Sequence, residues 1–172
     1  MKVRHLLLIS SCLCAGGTAM ADVVSSGSDH YVLRHEASSE LPPEALWDKL
    51  VNVANWWHPD HTYSGDAANL SLDATAGGSW REDWADGSVI HGEVLYANPP
   101  NKLRLEAPFG PLQGMAVNVV WSISIQPSET GSLVMFDEIA TGSSVSGLEQ
   151  LAPAVDGVKQ EALERLVSDR PS

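Results

Sequence analysis

Cysteine is scarce. The 172 residues hold two, Cys12 and Cys14, both near the start. Everything after them is thiol-free, which excludes a disulfide framework, a thiolate nucleophile and a cysteine metal site there. Basic residues are also few: 10 Lys and Arg stand against 22 Asp and Glu, for a formal charge of -12. So anionic a chain does not suit a phosphate backbone or an anionic lipid surface, so neither nucleic acid nor membrane adhesion is expected. No apolar run approaches the roughly 20 residues that a bilayer span needs. G-x-S-x-G, P-loop and G-x-G-x-x-G patterns are missing, leaving hydrolase and nucleotide-binding readings without support. Phenylalanine is rare at 2 residues, whereas tryptophan is plentiful at 6. Each tryptophan brings a large apolar area and one N–H donor.

What is present begins with a leader. Lys2 and Arg4 precede an apolar stretch from Leu6 to about Ala15, and Ala19-Met20-Ala21 stands just before Asp22. This is the three-part layout of a secretory signal peptide over residues 1–21, cut after Ala21. It predicts a periplasmic or secreted protein. Ile9-Ser10-Ser11-Cys12 resembles a lipid-attachment box, so a lipoprotein is the alternative to a free soluble form. Residues 22–28 are small and polar and read as a flexible lead-in. Residues 29–169 then form one domain, long enough for a core without covalent staples.

The periodicities assign its elements. His30 to Glu36 alternates and predicts a strand. Leu41-Pro42-Pro43-Glu44 opens a helix carrying Leu46, Trp47, Leu50 and Val53, and Asn55-Trp56-Trp57-His58-Pro59 ends or re-aims it. Strands are predicted at 69–73, 79–84, 88–96, 102–106, 115–126 and 132–141. Asp86-Gly87 is read as a hairpin turn. Met115, Val117, Val119, Trp121, Ile123 and Ile125 all fall on one face. Leu148, Leu151, Val155, Val158, Ala162 and Leu166 then recur at threes and fours, predicting a long amphipathic helix with Pro153 near its start. The fold class is α+β: an antiparallel sheet of about seven strands curved around a long C-terminal helix, with two short helices after strand 1. Such a sheet leaves a ligand space against the helix.

Within that space the candidates are as follows. With Asp86-Gly87 as a two-residue turn, Glu82 faces His91 and Trp84 faces Val89. Trp80, Glu82 and Trp84 then share a face. A carboxylate beside an imidazole between indoles suits a polar anchor or proton transfer, whereas the same pair on a solvent face is merely a weak ion pair. Glu82 and His91 are therefore the catalytic candidates. His58-Pro59-Asp60-His61 has metal-ligand residue types, but its i,i+3 spacing beside proline is a loop and no third ligand is indicated, so no metal is expected. His61 and Tyr63 are placed at the pocket mouth. Trp57, Trp80, Trp84, Met115 and Trp121 complete the expected ligand-binding set with Glu82 and His91.

These features together resemble the START/birch-pollen-allergen superfamily, also called helix-grip or SRPBCC. The resemblance is to its polyketide-cyclase-like and chaperone-ATPase-activator-like bacterial members. It is carried by Ala45-Leu46-Trp47, Asn55-Trp56-Trp57-His58-Pro59, Ala76-Gly77-Gly78-Ser79-Trp80, the Asp86-Gly87 hairpin, Pro100-Asn101-Lys102-Leu103-Arg104-Leu105 and the last helix. It implies a cavity between sheet and helix that binds a small apolar or amphipathic molecule without a cofactor, or a cyclase- or dehydratase-like enzyme in the same cavity, with His91 as general base and Glu82 as its orienter or acid. An interaction module using the acidic surface is the third possibility.

Overall fold

The computed structural model describes residues 20–168. Apart from Met20 and Ala21, the signal peptide read over 1–21 lies outside the described residues, as does Cys12 of the lipid-attachment box. Eight strands are present among the described residues: β1 Met20–Gly27, β2 His30–Ser39, β3 Leu70–Leu72, β4 Ser79–Trp84, β5 Gly87–Asn98, β6 Lys102–Glu106, β7 Asn118–Ser128 and β8 Gly131–Thr141. Two α-helices accompany them, α1 Pro43–Val51 and α2 Leu148–Val167. All strands join one sheet in the order β1-β2-β8-β7-β6-β5-β4-β3, with antiparallel neighbours throughout. From β3 to β8 the chain is a meander; β2 closes it by pairing with β8. The fold is the expected helix-grip arrangement.

Three segments differ from expectation in their secondary structure. The segment read as a flexible lead-in is β1, the additional strand. Its small polar side chains carry no period, but its backbone pairs with the outer edge of β2, which would otherwise hold unpaired N–H and C=O groups. Of two helices expected after the first long strand, one is an α-helix; Val53–Asn55, Pro59–His61 and Ala67–Asn69 are single 3-10 turns. Met115 does not open β7. It ends a 3-10 turn over Gly110–Met115, and Ala116 follows in the left-handed region at φ 53°.

α1 starts where Pro43 can occupy the first turn without a lost hydrogen bond, with Glu44 beside the positive end of the helix dipole. α2 lies against β1, β2 and β8. It holds Pro153 inside its length, exposed to solvent. Its buried stripe is Leu148, Ala152, Lys159, Ala162, Leu163 and Leu166. This stripe is turned from the expected one: Leu151, Val155 and Val158 are only half-buried. The core falls into two clusters. One gathers Leu46, Leu50, Trp56, Trp80, Leu103, Trp121, Phe136 and Leu163 around α1 and the C-terminal half of α2. The other gathers Tyr31, Leu33, Leu112, Val119, Ala140 and Leu148 at the N-terminal half of α2.

Candidate functional site

Between those clusters, alongside α2, lies a cavity of about 580 Å³. Trp57, Ala107 and Phe109 come from one cluster and Leu112, Leu151 and Val155 from the other, joined by Val158. The half-exposed helix positions Leu151, Val155 and Val158 are therefore cavity wall, not misplaced core. Trp57 and Phe109 stack at 5.4 Å. Exposed Asp60, Tyr63, Pro111 and Ala154 form the rim. Tyr63 spans it, donating its hydroxyl to the Gly110 carbonyl at 3.3 Å. Trp57 Nε1 donates to the His61 carbonyl at 3.1 Å, which fixes the loop carrying both residues. Glu161 of α2 ties this loop to the helix through His61 at 3.2 Å.

Two charged side chains, both almost wholly buried, belong to the lining: Glu138 of β8 and Lys159 of α2. Glu138 pairs across the sheet with Trp121 and Leu33, so it sits in an apolar row on the helix-facing side. Tyr31 donates its hydroxyl to Glu138 Oε1 at 2.7 Å. Burial, with the Glu138 charge beside it, pushes the Tyr31 phenol far up. Lys159 Nζ lies 2.7 Å from Glu138 Oε2 and 3.3 Å from the centre of the Trp121 ring. The Lys159–Glu138 contact is an ion pair without hydrogen-bond alignment: neither Nζ nor Oε2 has a hydrogen-bond partner in the protein. Burial pulls the Lys159 ammonium below its ordinary range, against the opposing pull of Glu138. The signal for both residues was present in the sequence. Glu138 keeps the alternation of Val134, Phe136 and Ala140, and Lys159 stands four residues after Val155 and three before Ala162. Charge alone directs such residues outward in a sequence reading.

Glu82 and His91 do meet, buried, with His91 Nε2 2.9 Å from Glu82 Oε2. The expected route is wrong. The hairpin turns on Ala85-Asp86, with Trp84 opposite Gly87 and Glu82 opposite Val89. A β-bulge makes His91 the extra residue, since Arg81 pairs with Ile90 and Trp80 with Gly92; His91 lies on the inner side, two residues on from Val89, beside Glu82. Glu82 is already occupied. Its oxygens accept the backbone N–H groups of Tyr63 at 3.0 Å and Ser64 at 2.6 Å. Burial acts to raise its carboxyl, but the bonds from Ser64, Tyr63 and His91 prevail and hold it below the ordinary carboxylate value. Burial likewise lowers the His91 imidazole, with Glu82 opposing. His91 stacks on Phe109 at 5.4 Å and stands one ring behind the cavity wall.

Of the ligand-binding residues expected from the sequence, the structure brings Trp57, His61 and Tyr63 to the cavity. Trp80 and Trp121 are fully buried in the aromatic cluster behind it, their indole N–H groups without partners. Trp84 packs on Gly87 at the hairpin end, and Met115 packs against the second cluster. Sequence reasoning missed Phe109, Leu112, Glu138 and Lys159. His58, Asp60 and His61 are neighbours, but among the described residues no group of three or more His, Cys, Asp or Glu is arranged to hold a metal. No helix among them is long and apolar enough to cross a membrane.

The fold has many solved counterparts. CalU16 from Micromonospora echinospora is similar over 88% of this chain and 80% of its own, at 17% identity and a TM-score of 0.56. A Rhodobacter sphaeroides protein is similar over 86% of this chain and 96% of its own, at 16% identity and a TM-score of 0.55. A conserved Enterococcus faecalis protein of unknown function matches 84% of this chain and 75% of its own, at 10% identity and a TM-score of 0.55. At these identities the likeness is one of fold. No protein-family model and no curated protein matches the chain.

Proposed function

We propose that this chain is an exported helix-grip protein of the SRPBCC, polyketide-cyclase-like type that binds a small, largely apolar molecule in the cavity between its sheet and α2. The observation that carries this is the cavity itself: about 580 Å³ walled by Trp57, Phe109, Leu112, Leu151, Val155 and Val158. That volume is within the usual range for small-molecule sites, roughly 300–1,000 Å³. Leaving apolar side chains half-exposed on the longest helix forgoes hydrophobic stabilisation of about 25 cal/mol per Å², and a ligand would recover it. The test is native mass spectrometry of protein purified from the periplasm, alongside titration with an apolar fluorophore. A co-purified mass, or saturable binding that quenches Trp57 emission, supports the reading. No adduct and no saturable binding would overturn it.

A second reading, a cyclase- or dehydratase-like enzyme, has one observation in its favour: Glu82 and His91 are buried and in hydrogen-bond reach. Their bonds to the loop and their place behind Phe109 favour a positioning role, in which they fix the wall that carries Tyr63. Turnover of the bound molecule that is lost in Glu82→Gln, with binding kept, would favour the enzyme.

A further inference from the structure

We propose that Lys159 is the specificity-determining residue of the cavity, selecting ligands that present an uncharged oxygen acceptor, such as a carbonyl, over anionic ones. This rests on the reading of the cavity as a small-molecule site. Lys159 lines the cavity, is 2% exposed and has no hydrogen-bond partner for Nζ within the protein. A buried ammonium has three N–H donors to satisfy. Here the surroundings are two aromatic faces, Trp121 at 3.3 Å and Phe109 at 4.7 Å, plus the misaligned Glu138 carboxylate at 2.7 Å. Buried polar atoms left over in this way call for a partner from outside the chain.

Glu138 decides the charge of that partner. It already neutralises Lys159, and Tyr31 donates to its other oxygen. An anionic ligand on Nζ would bring a second negative charge against Glu138 in a site walled by apolar groups, where like charges interact strongly. The whole chain, at -12, adds to the repulsion. A neutral carbonyl accepts the same hydrogen bond without that cost.

The test uses three naphthalene fluorophores of matched ring size: prodan, which is a neutral ketone; its dimethylaminonaphthalene parent, which lacks the carbonyl; and a naphthoate anion. They are titrated against the full mature protein, Lys159→Met and the charge-balanced Lys159→Met/Glu138→Gln. A hydrogen bond to a charged donor is worth roughly ten- to a hundredfold in affinity. The wild type is therefore expected to bind the ketone at least about tenfold tighter than either comparator. Its carbonyl-sensitive emission should report a donor in the bound state, and both signatures should vanish in the double variant. Should the variants fail to fold, the wild-type ranking and emission decide alone. Equal binding of ketone and parent to the wild type would overturn the anchor while leaving the cavity reading intact. Tighter binding of the naphthoate would overturn the selection against charge. Absence of binding by all three would overturn both this inference and the cavity reading.

Discussion

Removing Lys159 alone should cost more than removing it together with Glu138. Lys159→Met takes the counter-ion from a carboxylate that is 2% exposed and has Tyr31 as its one hydrogen-bonding side chain. Breaking a buried ion pair from one side costs about 3–5 kcal/mol, because a charge is left buried and uncompensated. For a domain of this size that is a fall in Tm of roughly 6–20 °C. Glu138→Gln strands the ammonium on the Trp121 and Phe109 rings, and its cost should depend on pH. Burial already lowers the Lys159 pKa, and loss of Glu138 lowers it further. Between that depressed value and the ordinary value of 10.5 the unfolded chain binds the proton that the folded chain has lost. Stability of this variant should therefore rise with pH through that window. The double variant buries no charge and should lie within about 1 kcal/mol of wild type. Urea unfolding of the four proteins gives the coupling energy. A double variant as unstable as the sum of the two singles would refute the ion pair as described.

Four other outcomes follow from the geometry. Leu151→Trp or Val155→Trp projects an indole into the cavity and should abolish fluorophore binding while changing stability by less than about 1 kcal/mol, since the space is empty of protein; calorimetry and titration check both. Glu82→Gln removes a carboxylate that accepts the Tyr63 and Ser64 amides and should cost about 2 kcal/mol at neutral pH. Because folding lowers the Glu82 pKa, its stabilisation is present above the ordinary value of 4.5 and lost as pH falls through the folded value, so the gap between wild type and variant should narrow in acid; a constant gap in unfolding curves would contradict this. His91 pushes in the same direction: its folded pKa is depressed, the unfolded chain takes its proton below 6.5, and a His91→Phe variant should lose less stability than wild type as pH falls from there. At Gly92 an added Cβ would stand 2.8 Å from the Glu106 carbonyl oxygen and 2.8 Å from the Ala107 Cβ, so Gly92→Ala should destabilise the bulge by about 1–3 kcal/mol, seen as a lowered urea midpoint.

Strand alternation and helix period made most of the architecture legible. Lys102–Glu106 is β6 as the pattern predicts, and Val117 to Ile125 is one buried face. The failures have particular causes. Residues 22–27 form a strand because β2 offers an edge, a tertiary reason that leaves no local period. Counting from a Gly-centred turn misplaced the hairpin register by two, since Gly87 is the first paired residue of β5 and not part of the turn. The Glu82–His91 contact survived that error because a shift of two residues keeps His91 on the same face of β5 as Val89, which stands opposite Glu82. A bulge has no reliable mark in a single sequence, although Gly92 sits where the bulged strand approaches Ala107 too closely for a side chain. Tryptophan count directed attention to Trp80 and Trp121, which are core. The wall falls instead to Phe109 and to aliphatic positions on α2 that a helical wheel assigns to the interior.

Two buried charges, those of Glu82 and Lys159, illustrate a distinction that residue type alone does not make. Desolvating a charge is expensive, and the cost is met only when its bonds are filled. Glu82 has its bonds filled: two amides of the 62–64 loop and His91. Such a carboxylate has little capacity left for a ligand, and its effect is to hold the loop that brings Trp57, His61 and Tyr63 to the cavity. Lys159 is the opposite case. It belongs to the cavity lining, and its hydrogen-bonding capacity is left over after folding. Where one buried charge is saturated by its own chain and another is not, ligand recognition is expected at the unsaturated one. Replacing Glu82 should therefore act on ligand affinity through loop order, loosening all three naphthalenes alike. Replacing Lys159 should act on the ketone alone. Measured as ratios across the three probes, the first variant should leave selectivity unchanged and the second should erase it; the reverse pattern would move the anchor back to Glu82.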